Sequence, residues 1–77
     1  MGKFYRANQD LSTFLQELGL TFHDREEHGV SYFTDHSTGK QVLVNSKRNY
    51  IKFLDNAGRL IGLSNSYTDN QIEKFLK

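Results

Sequence analysis

The sequence has no cysteine in its 77 residues, which excludes a disulfide framework and any thiolate metal centre. It has no apolar run approaching the about 20 residues of a membrane-spanning helix, and no apolar signal region follows Lys3 and Arg6 at its start. It has no glycine-rich loop opening a helix. Gly19, Gly29, Gly39, Gly58 and Gly62 stand singly, at turns or inside a strand-like run, which excludes a phosphate-binding loop and a dinucleotide fingerprint. These absences lead to the expectation of a soluble cytoplasmic protein without a cofactor and without contact with a membrane.

The chain is also poor in apolar residues: Ala, Val, Ile, Leu, Met, Phe and Gly make up 30 of 77, below the about 45–50% of typical domains. Six Phe and four Tyr offset the deficit, because each ring can bury a large area. The length suits a single small domain over residues 1–77, near the lower limit for a core that holds itself together.

What is present is a β-rich centre. Val30–Thr34 and Lys40–Val44 are separated by a turn closing on Gly39; Tyr50–Leu54 and Arg59–Leu63 are separated by a turn closing on Gly58. Runs of Val, Ile, Tyr and Phe bounded in this way predict two β-hairpins in series. Within them Ile51 and Phe53 alternate with Tyr50, Lys52 and Leu54, and Val42 and Val44 flank Leu43. Neither face is purely polar, so one side should be covered and the other partly apolar. Gly62, inside a strand, predicts a bulge or a close approach of backbone.

Helices flank this centre. Leu11, Phe14, Leu15 and Leu18 form one helical stripe. Asn8 or Asp10 can cap its start, and Gly19 can end it in the left-handed conformation. Leu20-Thr21-Phe22 predicts a short strand. Residues 23–29 are either the polar end of an edge strand pairing with residues 30–34 or a solvated loop, the reading favoured being a strand through Asp24 and then a turn ending at Gly29. Residues 1–7 read as an extended lead-in anchored by Phe4 and Tyr5. At the other end Thr68-Asp69-Asn70-Gln71 fits a capping box, with Tyr67 and Ile72 placed for a hydrophobic staple and Ile72, Phe75 and Leu76 as the buried stripe. The fold expected is α+β, an antiparallel meander of four to five strands flanked by an N-terminal and a C-terminal helix in the order α-β-β-β-β-α. Both helices would lie on one face of the sheet; a curled, partly closed sheet is the alternative.

No catalytic or metal-binding residue is assigned. His23 and His28 flank Asp24, Glu26 and Glu27, and His36 sits in a turn. A divalent site needs three or four converging ligands, whereas His23 and His28 would point to opposite faces of a strand. As general bases they lack an assignable nucleophile.

The net charge of +1 conceals an asymmetry. From Gln9 to Asp35 there are six acids (Asp10, Glu17, Asp24, Glu26, Glu27 and Asp35) and one base (Arg25). From Thr38 to Ile61 there are five bases (Lys40, Lys47, Arg48, Lys52 and Arg59) and one acid (Asp55). Such blocks are either contact surfaces for partners of opposite sign or faces that neutralise each other in the fold.

One family resemblance bears on these residues. The stretch Glu17-Leu18-Gly19-Leu20-Thr21-Phe22, then His28, Tyr32-Phe33, Gly39 and Val42-Leu43-Val44, is similar in spacing to HicA-type toxins. The helix–strands–helix order resembles the double-stranded-RNA-binding domain, whose plan those toxins share. The resemblance implies RNA binding, or a ribonuclease using His28, the position matching the histidine of the family's Gly-Ser-His motif. This chain has Glu27-His28-Gly29 there, an extra hairpin before the last helix, and Thr68-Asp69-Asn70 where RNA-binding domains start a helix with bases.

The functional expectation is a small non-enzymatic module that binds a protein partner, such as an inhibitor or regulator of viral or plasmid type. Its contact surface would be the acidic strip Asp24, Glu26 and Glu27, which can mimic a phosphate backbone. The alternative is a nucleic-acid-binding domain using the basic strip Lys40, Lys47, Arg48, Lys52 and Arg59, with Tyr50 and Phe53 as stacking platforms.

Overall fold

In the computed structural model a five-stranded antiparallel meander carries a helix near each end of the chain. The structure describes residues 3–27 and 29–77, and of residues 23–27 the backbone alone. The elements are β1 (Phe4–Arg6), α1 (Ser12–Glu17), β2 (Leu20–Glu27), β3 (Val30–Asp35), β4 (Gln41–Asn45), β5 (Tyr50–Leu54), β6 (Leu60–Ser64), β7 (Ser66–Thr68) and α2 (Asp69–Leu76). The main sheet has the order β2-β3-β4-β5-β6, and β1 pairs with β7 in a separate two-stranded sheet. The class is α+β, and the sheet stays open rather than curling closed, with β2 and β6 at its edges.

Local chemistry sets most boundaries. Asp10 Oδ1 accepts from the Ser12 backbone N–H, satisfying a donor at the start of α1, while Asn8 makes no such bond. Gly19, at φ +97°, takes the conformation that follows the last turn, and its N–H donates to the Gln16 carbonyl at 3.0 Å. At α2 the capping box forms in full: Thr68 Oγ1 accepts from the Gln71 N–H at 3.2 Å, and Gln71 Oε1 accepts from the Thr68 N–H at 2.9 Å.

The pairing register decides which residues share a face. Phe33, Val42, Phe53 and Gly62 stand in one row across β3 to β6, and Ser31, Val44, Ile51 and Ser64 in the next row on the same face. Phe33, Val42, Val44, Ile51 and Phe53 are buried together with Leu11 and Leu15 from the α1 segment and Ile72 from α2. Both helices therefore lie on this one face. Phe53 stacks on Phe75 at 4.5 Å and meets Tyr67 edge-on at 5.0 Å, so α2 is held by an aromatic cluster.

Three features differ from the sequence-based expectation. The lead-in is a true strand, β1, paired with β7 through Tyr5↔Tyr67; of its two aromatics only Tyr5 anchors, stacking on Phe14 at 4.0 Å, while Phe4 is 62% exposed. β2 continues past Asp24 to Glu27, because Glu27 pairs with Val30 after an irregularity that begins at His23. At Gly62 the expected bulge forms, but what approaches the glycine closely is a pair of side chains rather than another stretch of backbone. Phe53 pairs with Gly62 but Leu54 with Leu60, leaving Ile61 as the extra residue of a bulge. A Cβ on Gly62 would meet Phe75 Cζ at 2.8 Å and the Tyr67 hydroxyl at 3.0 Å.

Candidate interaction surface

The second face of the main sheet is open. Because neighbours along a strand alternate and cross-strand partners share a side, it carries Tyr32, Leu43, Lys52 and Leu63 in one row and Thr34, Gln41, Leu54 and Leu60 in the next. The bulge also leaves Ile61 exposed at the β6 edge. None of Tyr32, Leu43, Leu54, Leu60, Ile61 or Leu63 belongs to the buried cluster or packs against it. Leu60 and Leu63 are each 54% exposed and Ile61 41%, an unusual load of aliphatic surface on one edge strand. Tyr32, Leu43 and Leu54 beside them are half-buried, so the patch is continuous from β3 to β6.

One end of this face is organised by a buried polar residue. Asn45 Oδ1 accepts from the Arg48 backbone N–H at 2.9 Å and its Nδ2 donates to the Tyr50 hydroxyl at 3.3 Å, which fixes the β4–β5 turn. The same turn holds Lys47, whose side chain lies across Gly29.

The five bases of the basic strip do not gather in one place. Lys47 and Arg48 occupy the β4–β5 turn, whereas Arg59 lies at the β5–β6 turn. The two turns stand at opposite ends of β5, about 17 Å apart for a five-residue strand. Lys52 lies between them on the open face, its ammonium over the Tyr50 ring at 5.1 Å. Lys40 is engaged elsewhere: its Nζ donates to the Phe75 carbonyl at 3.0 Å and to the Lys77 main-chain oxygen, neutralising the negative end of α2. Of the two aromatics proposed with this strip, Phe53 is in the core and Tyr50 is half-buried on the open side.

Asp24, Glu26 and Glu27 belong to β2, the edge strand on the far side of the main sheet. Their side chains, like that of His23, lie outside the described residues, as does His28 entirely. The backbone places the end of β2 beside the basic turn, since the Ser46 N–H donates to the Gly29 carbonyl at 3.1 Å. His36 is exposed in the β3–β4 turn. Among the described residues no group of three or more His, Cys, Asp or Glu could hold a metal ion, and no helix is long and apolar enough to cross a membrane.

On the covered side a cleft of about 410 Å³ has Phe33, Val44 and Leu11 among its apolar lining and Asn8, Gln16 and Ser46 among its polar lining. It brings together no acid–base pair and no cluster of charge. Sequence reasoning did not single out the open face as a site, although its signal was there in the alternation of Lys52 with Ile51 and Phe53 and in the leucines at 43, 54, 60 and 63.

Compared with known protein families, with characterised proteins and with solved structures, the chain matches none significantly.

Proposed function

We propose that this chain is a non-enzymatic protein-binding module whose contact surface is the open face of the five-stranded sheet. One observation carries the reading: Leu60, Ile61 and Leu63 are exposed in continuity with half-buried Tyr32, Leu43 and Leu54 on a side that no helix covers. Burying such aliphatic surface against a partner is favourable by about 25 cal/mol per Å². Docking there leaves the fold and its covered core unchanged, as suits an inhibitor or regulator that acts by occupying its partner. The acidic strip at Asp24, Glu26 and Glu27 lies on an edge strand of the same sheet and would extend the contact.

A second reading, nucleic-acid binding, is favoured by the Tyr50–Lys52 pair beside Lys47 and Arg48. Against it, stacking platforms are built from aromatic planes, and this face is mostly aliphatic.

The test compares the wild-type chain with Leu60→Glu/Leu63→Glu, two exposed positions whose replacement spares the core. From a nuclease-treated lysate of the source organism, the wild-type chain is expected to retain a protein that the double variant loses, with equal thermal midpoints for both. A gel shift of a single-stranded or duplex oligonucleotide at about 0.15 M salt, abolished by Lys52→Glu, would replace this reading with the nucleic-acid one.

A further inference from the structure

On β3 to β6 the open face holds a single charged side chain, Lys52, and apolar or aromatic groups surround it. Leu43 and Leu63 stand directly across from it on β4 and β6. Tyr50 and Leu54 precede and follow it on the same side of β5. Lys52 is half-buried among these four, and its ammonium lies 5.1 Å from the centre of the Tyr50 ring. Among the described residues no carboxylate approaches it.

A partner that covered this patch with apolar groups alone would strip water from the ammonium and give nothing back, an unfavourable exchange. A second copy of the chain meets the same difficulty, because its β3 to β6 would oppose Lys52 with another lysine and no acid, and apposed like charges disfavour the pairing. A phosphate backbone would have to desolvate against the flanking leucines. The surface is complementary to an apolar segment that brings its own carboxylate to one point.

We propose that Lys52 is the recognition point for a carboxylate, and that the partner is an amphipathic helix with a Glu or Asp at the centre of its apolar stripe. The carboxylate seats on the Lys52 ammonium while neighbouring aliphatic side chains pack on Leu43, Leu54 and Leu63. Strands of five residues present a face about 17 Å long, which matches about three turns of helix. Helices already cover the opposite face of this sheet in the same way. The proposal rests on the reading of the open face as a protein contact surface. It adds which chemistry the partner must bring.

The test uses a surface-displayed library of helical peptides of about four turns, with a fixed leucine stripe and every amino acid allowed at its central position. It is sorted against the wild-type chain, Lys52→Met and Lys52→Glu, each first confirmed to unfold cooperatively. The wild-type chain is expected to enrich central Glu or Asp over Gln or Asn by about tenfold or more, as close charge pairs at interfaces do. Lys52→Met should lose that preference while keeping apolar binders, and Lys52→Glu should turn it toward Lys or Arg. If bound peptides shift the NMR amide signals of Leu43 and Leu63 yet show no acidic preference, the carboxylate site is wrong and the open-face reading stands. If no peptide binds, or if binding shifts signals elsewhere, both fail.

Discussion

The Phe75 ring of α2 rests directly on Gly62 of β6, where a Cβ would stand 2.8 Å from Phe75 Cζ and 3.0 Å from Phe75 Cε1. Phe75 cannot simply swing aside, because its other neighbours are Phe53, stacked at 4.5 Å, and Tyr67, edge-on at 5.5 Å. Gly62→Ala is therefore expected to destabilise the fold by about 1–3 kcal/mol through overpacking. Combining it with Phe75→Leu should cost less than the sum of the two single changes. Chemical denaturation of the four proteins measures the cycle; strict additivity would show that the contact does not constrain the helix.

Phe33 and Phe14 are expected to differ in weight. Phe33 is 2% exposed in the middle of the covered face, so Phe33→Ala should cost about 3–5 kcal/mol, enough to unfold a domain of this size. Phe14 is half-buried at the margin of the core, where it also stacks on Tyr5, and Phe14→Ala should cost less, about 1.5–3 kcal/mol. Denaturation midpoints rank the two, and a larger loss at Phe14 would contradict the placement of the core.

Thr68→Ala should cost about 0.5–2 kcal/mol, because it leaves the Gln71 N–H without its acceptor. Gln71→Ala should cost less, since it removes only the reciprocal bond to the Thr68 N–H. Hydrogen exchange over residues 69–76 reads the fraying of α2 directly, and it should accelerate in both variants in that order.

Lys40→Met should weaken the last turn of α2 by about 0.5–1 kcal/mol, through loss of a cation at the helix C-terminus. Exchange protection should fall at Phe75 and Leu76, while ligand binding by the open face stays as in the wild type. A loss of binding without a loss of protection would return Lys40 to the contact surface.

Two serine-bonded aspartates should shape the acid limb of stability. The Ser37 hydroxyl donates to Asp35 at 2.6 Å and the Ser12 hydroxyl to Asp10 at 2.6 Å, and these bonds hold both carboxyls below the usual carboxylate range. A depressed folded value means that the stabilisation is complete above the unfolded value near about 3.9 and is lost as pH falls through the folded one. Replacing both with Asn should flatten the fall in stability below about pH 4. NMR titration should show Ser37→Ala raising the Asp35 value and Ser12→Ala raising the Asp10 value.

How much of this could be read in advance follows from how far apart the partners lie. The capping box at Thr68 and Gln71 was legible because both halves are three residues apart. The four central strands were legible because alternation and glycine-closed turns are local signals, and their observed bounds differ from the expected ones by a residue or so. The β1–β7 pair was not, since three-residue strands have too short a period to notice and their partners lie at opposite ends of the sequence. The engagement of Lys40 with Phe75 was hidden for the same reason, 35 residues separating donor and acceptor. The open face was half legible: alternation divides Ile51 and Phe53 from Tyr50, Lys52 and Leu54, but only the docking of both helices on one side determines which set stays outside.

The pairing of Tyr5 with Tyr67, extended by the Ala7 N–H to Asn65 and the Asp69 N–H to the Lys3 carbonyl, works like the clasp of a necklace. β1 precedes β7 in synthesis, so the first strand has nothing to fasten to until residues 66–68 have been made. The meander, built from neighbours, can assemble meanwhile. Tyr5 and the Phe14 ring beneath it gain their full setting only when residues 66–68 arrive. The clasp therefore closes after the sheet, and removing residues 66–76 would take away both that fastening and the cover that Tyr67, Ile72 and Phe75 give the buried face.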